Sequence, residues 1–403
     1  MKFLLIPGNN SLSHVAKCLA LEAALSSRGH QVLIAVSRKH AAFLHRLNRP
    51  YVLLPDLQET DDGALPALAW FRRPDLIEAC IQAEINLLND FRPDRVLGVF
   101  RFTLKVSATV TGIPYDSLAC GCMMPDVGEV LGYAPEDGGM YQQAQYLLNF
   151  FRFAGKRMSV AMKRFHQNPV PDIRHLLMGE RTFLWDFPEF MPLVPAADRV
   201  HVGPLSWQDW ADERQESAPF PDTDRPLALL TLGTRSTHRA VAKKAVRCLL
   251  NRGYDVMVAA GGQQHLMDLF PGEARLRTWE FTPLQRLLRH AALLVCHGGQ
   301  MTIFEALQQR VPVLVIPFQP EQAHNGICLE RMGCGRRLAP AVAFKGNAEV
   351  YEKAFTAQPD SVVEETISGL AGNKDIATGL ARAALTIGSY GGASAFAELL
   401  VAG

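Results

Sequence analysis

The sequence predicts an α/β protein made of two doubly wound domains that face each other across a cleft. Short apolar strands alternate with helical periodicity in two separate stretches, which is typical of open, mostly parallel sheets. A segment rich in Pro, Asp, Glu and Ser, residues 203–225, separates the two stretches. A length of 403 residues is too great for one ordinary core, so two or three domains are expected.

The first alternating stretch begins at the N-terminus. The apolar run over 3–6 predicts a strand, and residues 7–13 predict a loop. Apolar residues at helical spacing from Val15 onward then predict a helix, which Arg28-Gly29-His30 ends. Further short strands are predicted over 32–36, 51–54, 96–100 and 115–118. Helical periodicity lies around 76–91, and helices and loops are expected over 122–180.

The second alternating stretch begins with an apolar strand over 227–232. Strands are then predicted over 255–259, 276–281, 293–296 and 313–316, and helices over 236–251, 284–290 and 301–309. We therefore expect a first domain over 1–205, a linker over 206–225 and a second domain over 226–385. The last segment, 386–403, is expected to form a helix that returns to the first domain.

Composition excludes several classes of protein. A net charge of +1 argues against nucleic-acid binding, which needs a basic face. Eight cysteines without a C-x-x-C pattern are expected to be reduced and buried. The N-terminus lacks the long apolar stretch of a signal peptide, and no run reaches the length of a membrane span. These features predict a cytoplasmic protein without stable membrane insertion.

The most informative segment begins where the strand over 293–296 ends. His297-Gly298-Gly299 turns the chain, and a helix begins near Gln300. The free N–H groups and positive dipole end of such a helix form an anion site, beside which His297 can act as a donor.

Acid and amide side chains follow this turn. Glu305 lies on the same helix face as Thr302, about one turn from the helix start, where a carboxylate suits the two hydroxyls of a ribose. Pro320 opens a further helix, whose Glu321, Gln322 and Asn325 suit sugar hydroxyls. Each of these residues taken alone is also compatible with ordinary packing or a surface charge.

Together these motifs resemble the donor-binding signature of family 1 and related glycosyltransferases, which have two Rossmann-like domains in the GT-B arrangement. The matching pattern is His-x-Gly-x-x-Thr-x-x-Glu-Ala-Leu followed by an acid-Gln pair. The resemblance implies that Glu305 binds the ribose and that Glu321 and Gln322 bind the donor sugar. It assigns the diphosphate to His297 and to the helix start at Gly298, Gly299, Gln300, Met301 and Thr302. Two residues depart from the family pattern: Met301 replaces a usual Gly, and Glu321 replaces the commoner Asp.

Two upstream segments agree with the resemblance. It implies that Phe281 stacks on the nucleobase and that the Thr282 backbone pairs with the edge of the base. Gly233 and Thr234, at the end of the first strand of the second domain, are expected to face the phosphates. Core packing of Phe281 and a plain strand–helix turn at Gly233 are the structural alternatives.

In the first domain the resemblance implies that His14 is the catalytic base. Histidine suits this role because its pKa lies near neutrality. Family members orient this histidine with a carboxylate after the fourth strand, but that region here reads Gly98-Val99-Phe100-Arg101-Phe102. Three explanations stay open: His14 works alone, another acid serves, or His14 only caps a helix or lies in the core.

Two further patterns carry alternatives. Met and Phe residues over 123–153 either line an apolar acceptor pocket or pack ordinary helices. Asp222-Thr223-Asp224 matches a metal-binding motif of another glycosyltransferase fold but is interpreted as a solvated turn. The nucleoside diphosphate charge is then met by the helix end and His297, without a metal.

The sequence therefore predicts an inverting, metal-independent glycosyltransferase that needs no cofactor. Its donor is expected to be a UDP- or dTDP-linked sugar, and its acceptor a hydroxyl of a small, lipophilic molecule. A nucleotide-sugar 2-epimerase of the same fold and a non-catalytic nucleotide-sugar-binding protein remain alternatives. No G-x-G-x-x-G follows a strand, which disfavours a dehydrogenase. The sequence is compatible with a homodimer without indicating one.

Overall fold

A computed structural model describes residues 1–57, 59–60, 63–64, 69–128, 131, 138–193, 195–207, 220, 223–233, 238–338 and 348–402. The chain divides into two compact units. The first comprises Met1–Ala211 together with Tyr390–Gly403, and the second comprises Asp212–Ser389.

In the described residues, the first unit contains nine strands: β1 (Lys2–Pro7), β2 (Gln31–Val36), β3 (Val52–Leu53), β4 (Glu59–Thr60), β5 (Gly63–Ala64), β6 (Arg95–Val99), β7 (Tyr115–Ala119), β8 (Arg181–Leu184) and β9 (Arg199–His201). Seven of them form a parallel sheet in the order β3-β2-β1-β6-β7-β8-β9, and β4 and β5 form a separate antiparallel pair. The strand order reverses between β1 and β6, so the loops after these two strands flank one crevice at the carboxyl edge of the sheet.

Helices cover the faces of this sheet. They are α1 (Leu12–Ser26), α2 (Arg38–Arg46), α3 (Pro74–Phe91), α4 (Leu104–Thr111) and α5 (Gly138–Met162), with short 3₁₀ turns at Ala69–Arg72, Gly121–Met123, Lys163–Phe165 and Ile173–Leu177. Strand β1 is covered on both faces, because Phe3, Leu4, Leu5 and Ile6 are all fully buried. A continuous apolar run is typical of such a strand, which is why the sequence predicts it well.

The second unit repeats this architecture. Its strands are β10 (Leu227–Thr231), β11 (Asp255–Ala259), β12 (Leu276–Trp279), β13 (Leu293–Cys296), β14 (Val313–Val315) and β15 (Gly335–Arg337). They form a parallel sheet in the order β12-β11-β10-β13-β14-β15, which reverses between β10 and β13. Its helices are α6 (Arg239–Asn251), α7 (Leu284–Leu288), α8 (Gln300–Gln308), α9 (Pro320–Arg331), α10 (Ala348–Ala357), α11 (Asp360–Leu370) and α12 (Lys374–Gly388). The predicted α/β fold class with parallel sheets is confirmed.

Several element bounds differ from the expected ones. Strand β12 ends at Trp279, two residues before the predicted end, where its partner β11 has ended at Ala259. Helix α6 is described only from Arg239, since residues 234–237 lie outside the described residues. Strands β8 and β9 were not predicted, because three or four residues with alternating polarity give a weak signal.

The C-terminal helix α13 (Gly392–Val401) packs within the first unit against α1. Arg28 donates hydrogen bonds of 2.8 Å to both Ser394 Oγ and Glu398 Oε1. Arg181 donates to the carbonyl oxygens of Leu399 and Leu400, which lie in the last turn of α13. A guanidinium at this position meets carbonyls that have no partner within the helix.

Two features concern the sequence-based expectations about membranes and cysteines. By length and composition, one stretch of the described residues, Lys374–Val401, could cross a membrane. It consists of two helices, α12 and α13, which are separated at Gly391, where φ is +69°. All eight cysteines lie in the described part of the chain, where they are buried and form no disulfide, which confirms that prediction.

Candidate functional site

The turn between β13 and α8 lies at the carboxyl edge of the second sheet, where the strand order reverses. Gly298 has a φ of +95°, and a Cβ there would lie 2.8 Å from both the Gln322 carbonyl oxygen and Val315 Cγ1. Gly299 caps α8, and in the described part of the chain its N-terminus has no side-chain cap. The first-turn N–H groups of α8 therefore remain available to an anion.

The ring of His297 lies between two glycines. A Cβ on Gly233 would come within 3.0 Å of His297 Cε1, and a Cβ on Gly299 within 2.7 Å of its Nε2. Burial lowers the pKa of His297 to about 4, and a hydrogen bond with the Thr231 backbone partly offsets this effect. The ring is therefore neutral at neutral pH and can donate one N–H.

Two buried amide side chains of α9 form hydrogen bonds at this edge, one to the turn and one to the loop before α9. Asn325 Nδ2 donates a hydrogen bond of 2.9 Å to the Gly298 carbonyl oxygen. Gln322 Oε1 accepts a hydrogen bond of 2.8 Å from the Phe318 backbone N–H, which leaves its Nε2 as a donor. Asn325 Oδ1 is buried and has no hydrogen-bond partner among the described residues. An orphaned buried oxygen of this kind indicates a missing polar partner.

The remaining predicted donor residues lie around the same edge of the sheet. Thr302 and Glu305 are half-buried and three residues apart on α8, and Glu321 is half-buried in the first turn of α9. Phe281 is half-buried in the loop between β12 and α7. Thr234 lies outside the described residues.

Two buried polar atoms lie near Phe281, one in its loop and one in the first turn of α7. Thr282 Oγ1 and Gln285 Nε2 are both buried without a hydrogen-bond partner in the described part of the chain. Each such group costs free energy unless a ligand or water completes its hydrogen bonding. A polar ligand next to Phe281 would supply these partners.

Sequence reasoning missed a histidine–carboxylate pair beside this edge. His238 Nδ1 lies 2.7 Å from Glu352 Oε2, and its ring stacks on Phe318 with centroids 3.9 Å apart. Phe318 precedes α9, so His238 supports the loop that presents Glu321 and Gln322. The two partners are 114 residues apart in sequence, so no local pattern could reveal the pair.

In the first unit, His14 lies in the first turn of α1, at the carboxyl edge of β1. Ser11 caps this helix, and Gly8 N–H bonds to the Val99 carbonyl oxygen at the end of β6. His14 is 5% exposed and packs against Phe100 and Trp185, with ring centroids 5.3 and 5.5 Å away. Its Nδ1 lies 3.4 Å from the Gly8 carbonyl oxygen.

The surroundings of His14 favour its neutral form. The pKa of His14 is lowered to about 3, mainly by burial. The charges of Lys17 and His40 contribute to this lowering. Lys17 is itself buried, with Nζ 4.4 Å from the centre of the Trp185 ring. Among the described residues, the charged groups that act on the pKa of His14 are therefore basic.

Carboxylates do lie near the end of β6, but they bind Arg101. Arg101 is buried and pairs with Asp56 and with Glu84 Oε1, the latter at 2.7 Å. Burial lowers the pKa of Arg101, but Asp56 and Glu84 outweigh it and raise the pKa above its usual value. Phe100, just before Arg101, has a φ of +55°, a strained conformation that places its ring against His14.

Comparison with known proteins gives three findings. Residues 229–345 match the family model described as glycosyltransferase family 28 C-terminal domain. A PGL/p-HBAD biosynthesis rhamnosyltransferase of Mycobacterium bovis is 26% identical over 352 residues, which cover 81% of this chain and 74% of the relative. The solved glycotransferase of kitacinnamycin superposes with a TM-score of 0.72 at 18% identity, covering 99% of this chain and 98% of its own.

A second solved structure carries a nucleotide. It is the Streptomyces sp. SF2575 glycosyltransferase SsfS6 complexed with thymidine diphosphate, which is 16% identical with a TM-score of 0.64 and 99% coverage of both chains. The chain is a glycosyltransferase of the GT-B fold. The matched family segment contains the whole turn from β13 to α9.

The structure of this glycosyltransferase brings most predicted donor residues to one sheet edge. These are Gly233, Phe281, Thr282, His297, Gly298, Gly299, Gln300, Met301, Thr302, Glu305, Glu321 and Gln322. His14 lies at the corresponding edge of the other sheet. Of the Asp-x-Asp motif, Asp222 lies outside the described residues, and Thr223 Oγ1 donates a hydrogen bond to Asp255 Oδ2. Within the described residues, no group of three or more His, Cys, Asp or Glu side chains could hold a metal ion.

Buried histidines of this glycosyltransferase are expected to make it acid-sensitive. His324 is 1% exposed, and neither ring nitrogen has a hydrogen-bond partner among the described residues. Burial and, secondarily, the charge of Arg331 lower its pKa from 6.5 to about 4. Because the unfolded chain binds a proton more readily, stability falls as the pH falls below 6.5. Between about pH 7 and about pH 5, His324 alone removes about 2 kcal/mol from the free energy of unfolding.

Urea unfolding of the parent protein and of His324→Leu at these two pH values tests this expectation. The variant should lose about 2 kcal/mol less than the parent on acidification. Replacement of the exposed His290 by leucine is the matched control and should leave the pH dependence unchanged. An equal loss in the parent and in His324→Leu would show that His324 is not held neutral in the folded protein.

Proposed function

We propose that this glycosyltransferase moves a sugar from a nucleoside-diphosphate donor to a hydroxyl of a small, lipophilic acceptor. The transfer inverts the configuration at the anomeric carbon and uses no metal. The observation that carries the proposal is the uncapped N-terminus of α8, with His297 between two glycines on one side and Glu305 about one and a half turns along the helix.

The diphosphate binds at the start of α8. The N–H groups of the first turn and the helix dipole stabilise its negative charge, and the neutral ring of His297 donates its single N–H to the diphosphate in place of the Thr231 backbone. Gly298 and Gly299 let the phosphates approach the backbone, because neither adds a side chain to the turn. This arrangement stabilises the leaving nucleoside diphosphate without a cation.

The nucleoside extends from this point toward β12. Glu305 accepts hydrogen bonds from the two ribose hydroxyls, as a carboxylate can. Phe281 stacks on the base, and the orphaned Thr282 Oγ1 and Gln285 Nε2 supply polar contacts. Glu321 and the free amide nitrogen of Gln322 bind the hydroxyls of the donor sugar. The thymidine diphosphate complex of SsfS6 supports a UDP- or dTDP-linked donor.

His14 acts as the base in a single displacement. The acceptor oxygen attacks the anomeric carbon from the side opposite the diphosphate, and its proton passes to the free nitrogen of His14. The bond from the anomeric carbon to the diphosphate oxygen breaks with its electron pair, which leaves on the nucleoside diphosphate. The lowered pKa of His14 keeps its ring unprotonated at neutral pH, as a base must be, but it also makes the ring a weaker base than a histidine of ordinary pKa.

A lipophilic acceptor fits the surroundings of His14. Phe100 and Trp185 pack together beside the imidazole, and aromatic groups of this kind favour apolar partners. The relatives point the same way, since the rhamnosyltransferase belongs to PGL/p-HBAD biosynthesis and the glycotransferase to kitacinnamycin.

Calorimetric titration of UDP and dTDP into the purified protein tests the donor site. His297→Ala and Glu305→Ala should each weaken binding of the preferred nucleotide about 10- to 100-fold, because each removes a hydrogen bond in which one partner is charged. The charged partner is the diphosphate for His297 and the carboxylate itself for Glu305. His290→Ala and Glu365→Ala change the same residue types at exposed positions of the second unit and should bind as the parent does. Unchanged affinity in both site variants would refute the donor assignment.

A further inference from the structure

Helix α5 carries an exposed stripe of regularly spaced side chains. Its members, each exposed and each three or four residues from the next, are Tyr146, Asn149, Phe153, Lys156, Val160 and Lys163. Lys163 lies in the 3₁₀ turn that directly continues the helix. At about 100° per residue, the six positions fall within an arc of about 100°, so they form one face about 25 Å long.

The opposite face of α5 holds the helix firmly to the first unit. Leu147, Phe151, Ala154 and Met158 are buried there. Arg157 Nε donates a hydrogen bond of 2.7 Å to the Phe71 carbonyl oxygen in the neighbouring 3₁₀ turn. The exposed stripe is therefore presented by a packed helix in a fixed orientation.

Large apolar side chains on this stripe remain in contact with solvent. Tyr146 and Phe153 are each 50% exposed, and Val160 is 44% exposed. They lie at intervals of seven residues along one edge of the stripe. Aromatic residues with one apolar and one wet side are favoured at the boundary between lipid headgroups and acyl chains.

The other edge of the stripe is cationic. Residues 138–171 contain five Lys or Arg and no Asp or Glu. Arg152, Lys156 and Lys163 are exposed on or beside the stripe.

Acidic residues of the neighbouring helix do not neutralise these cations. On α3, which packs against α5, Glu78 pairs with Arg164 at 2.7 Å, and Asp75 pairs with Arg73 at 2.7 Å. The charge of the stripe is therefore complementary to an anionic surface.

We propose that this stripe docks the protein on the surface of an anionic lipid bilayer. Tyr146, Phe153 and Val160 enter the headgroup–acyl boundary, and the ammonium and guanidinium groups extend to lipid phosphates. The stripe places apolar groups along one edge and polar or cationic groups along the other, over a length of about 25 Å, which suits a broad partner with an apolar interior and an anionic surface. Docking of this kind is peripheral and goes beyond sugar transfer, so it is tested without any sugar donor.

Co-sedimentation of the full-length protein with lipid vesicles tests the proposal. The protein should bind vesicles containing about 30% phosphatidylglycerol at ~50 mM salt and bind pure phosphatidylcholine vesicles much more weakly. Salt at ~500 mM should release it, because the Debye length is then only about 4 Å. The double change Arg152→Ala with Lys156→Ala should weaken binding about 25-fold, since each cation near an anionic surface contributes about fivefold.

The apolar edge is tested by Phe153→Ser, which should weaken binding about tenfold through lost burial of the ring. Lys353→Ala on α10 and Val362→Ser on α11 are matched controls and should bind as the parent does, although Val362 is 41% exposed. Circular dichroism confirms that each variant is folded. Absence of binding to anionic vesicles, or equal binding by the parent and the double variant, overturns the proposal. Equal binding to anionic vesicles and to pure phosphatidylcholine vesicles also overturns the proposal.

Discussion

Replacement of His14 by alanine should lower kcat for sugar transfer about 100- to 10,000-fold, while the affinity for the nucleotide stays unchanged. The loss follows because the acceptor hydroxyl then has no base, and the described residues that act on the pKa of His14 offer no carboxylate in its place. Affinity is expected to persist because His14 belongs to the first unit and the proposed donor residues to the second. Steady-state kinetics and nucleotide titration of the same preparation measure both quantities.

His14→Gln separates a base from a structural side chain. Glutamine keeps similar size and can still hydrogen-bond to the Gly8 carbonyl oxygen, but it cannot take up a proton at neutral pH. It should therefore be as inactive as His14→Ala. Substantial activity in His14→Gln would show that the imidazole is needed only for packing against Phe100 and Trp185. His166→Ala, at an exposed position of the same unit, should retain the parent activity.

The pH profile of the parent enzyme adds a second readout for His14. A pKa lowered to about 3 by burial means that the ring stays unprotonated as the pH falls through 6.5. The value of kcat/KM should therefore stay level between about pH 7.5 and about pH 5.5, wherever the protein remains folded. A fall in kcat/KM centred near pH 6.5 would show that the ring is hydrated in the working enzyme.

The donor segment is predictable from sequence because its parts are close along the chain. A buried strand, two glycines, a helix start and a carboxylate fall between Leu293 and Glu305, so local periodicity and turn chemistry fix their relation. The resemblance to known glycosyltransferases adds roles to these residues but not their contacts. The hydrogen bond from Asn325 to the Gly298 carbonyl oxygen, for example, depends on how α9 packs against the turn.

Contacts between distant segments could not be predicted. Sequence reasoning noted that a carboxylate is missing after β6 but could not see that Asp56 and Glu84 converge on Arg101 from other elements. The same holds for the pairing of His238 with Glu352. Helices α10, α11 and α12 were also not predicted individually, and in the structure they pack mainly on α6 and α8.

Replacement of Gly298 by alanine should have the largest effect on the second unit. The residue has a φ of +95°, which L side chains rarely adopt, and the added Cβ would lie 2.8 Å from the Gln322 carbonyl oxygen. Strain and overpacking together should destabilise the fold by about 3 kcal/mol. Nucleotide affinity should fall at least about 100-fold, because any shift of this turn displaces both His297 and the N-terminus of α8.

A second glycine with a positive φ separates the effect of backbone strain from the effect of overpacking. Gly333 also has a positive φ, +66°, but a Cβ there would meet nothing within 4 Å. Gly333→Ala should therefore cost only about 1 kcal/mol of backbone strain and leave nucleotide affinity intact. Urea unfolding and nucleotide titration of both variants give the comparison. If Gly298→Ala loses stability without losing affinity, then the turn tolerates displacement and the phosphates bind elsewhere. If the free energy of nucleotide binding falls by much more than the free energy of unfolding, the close approach of α9 to this turn determines the shape of the anion site.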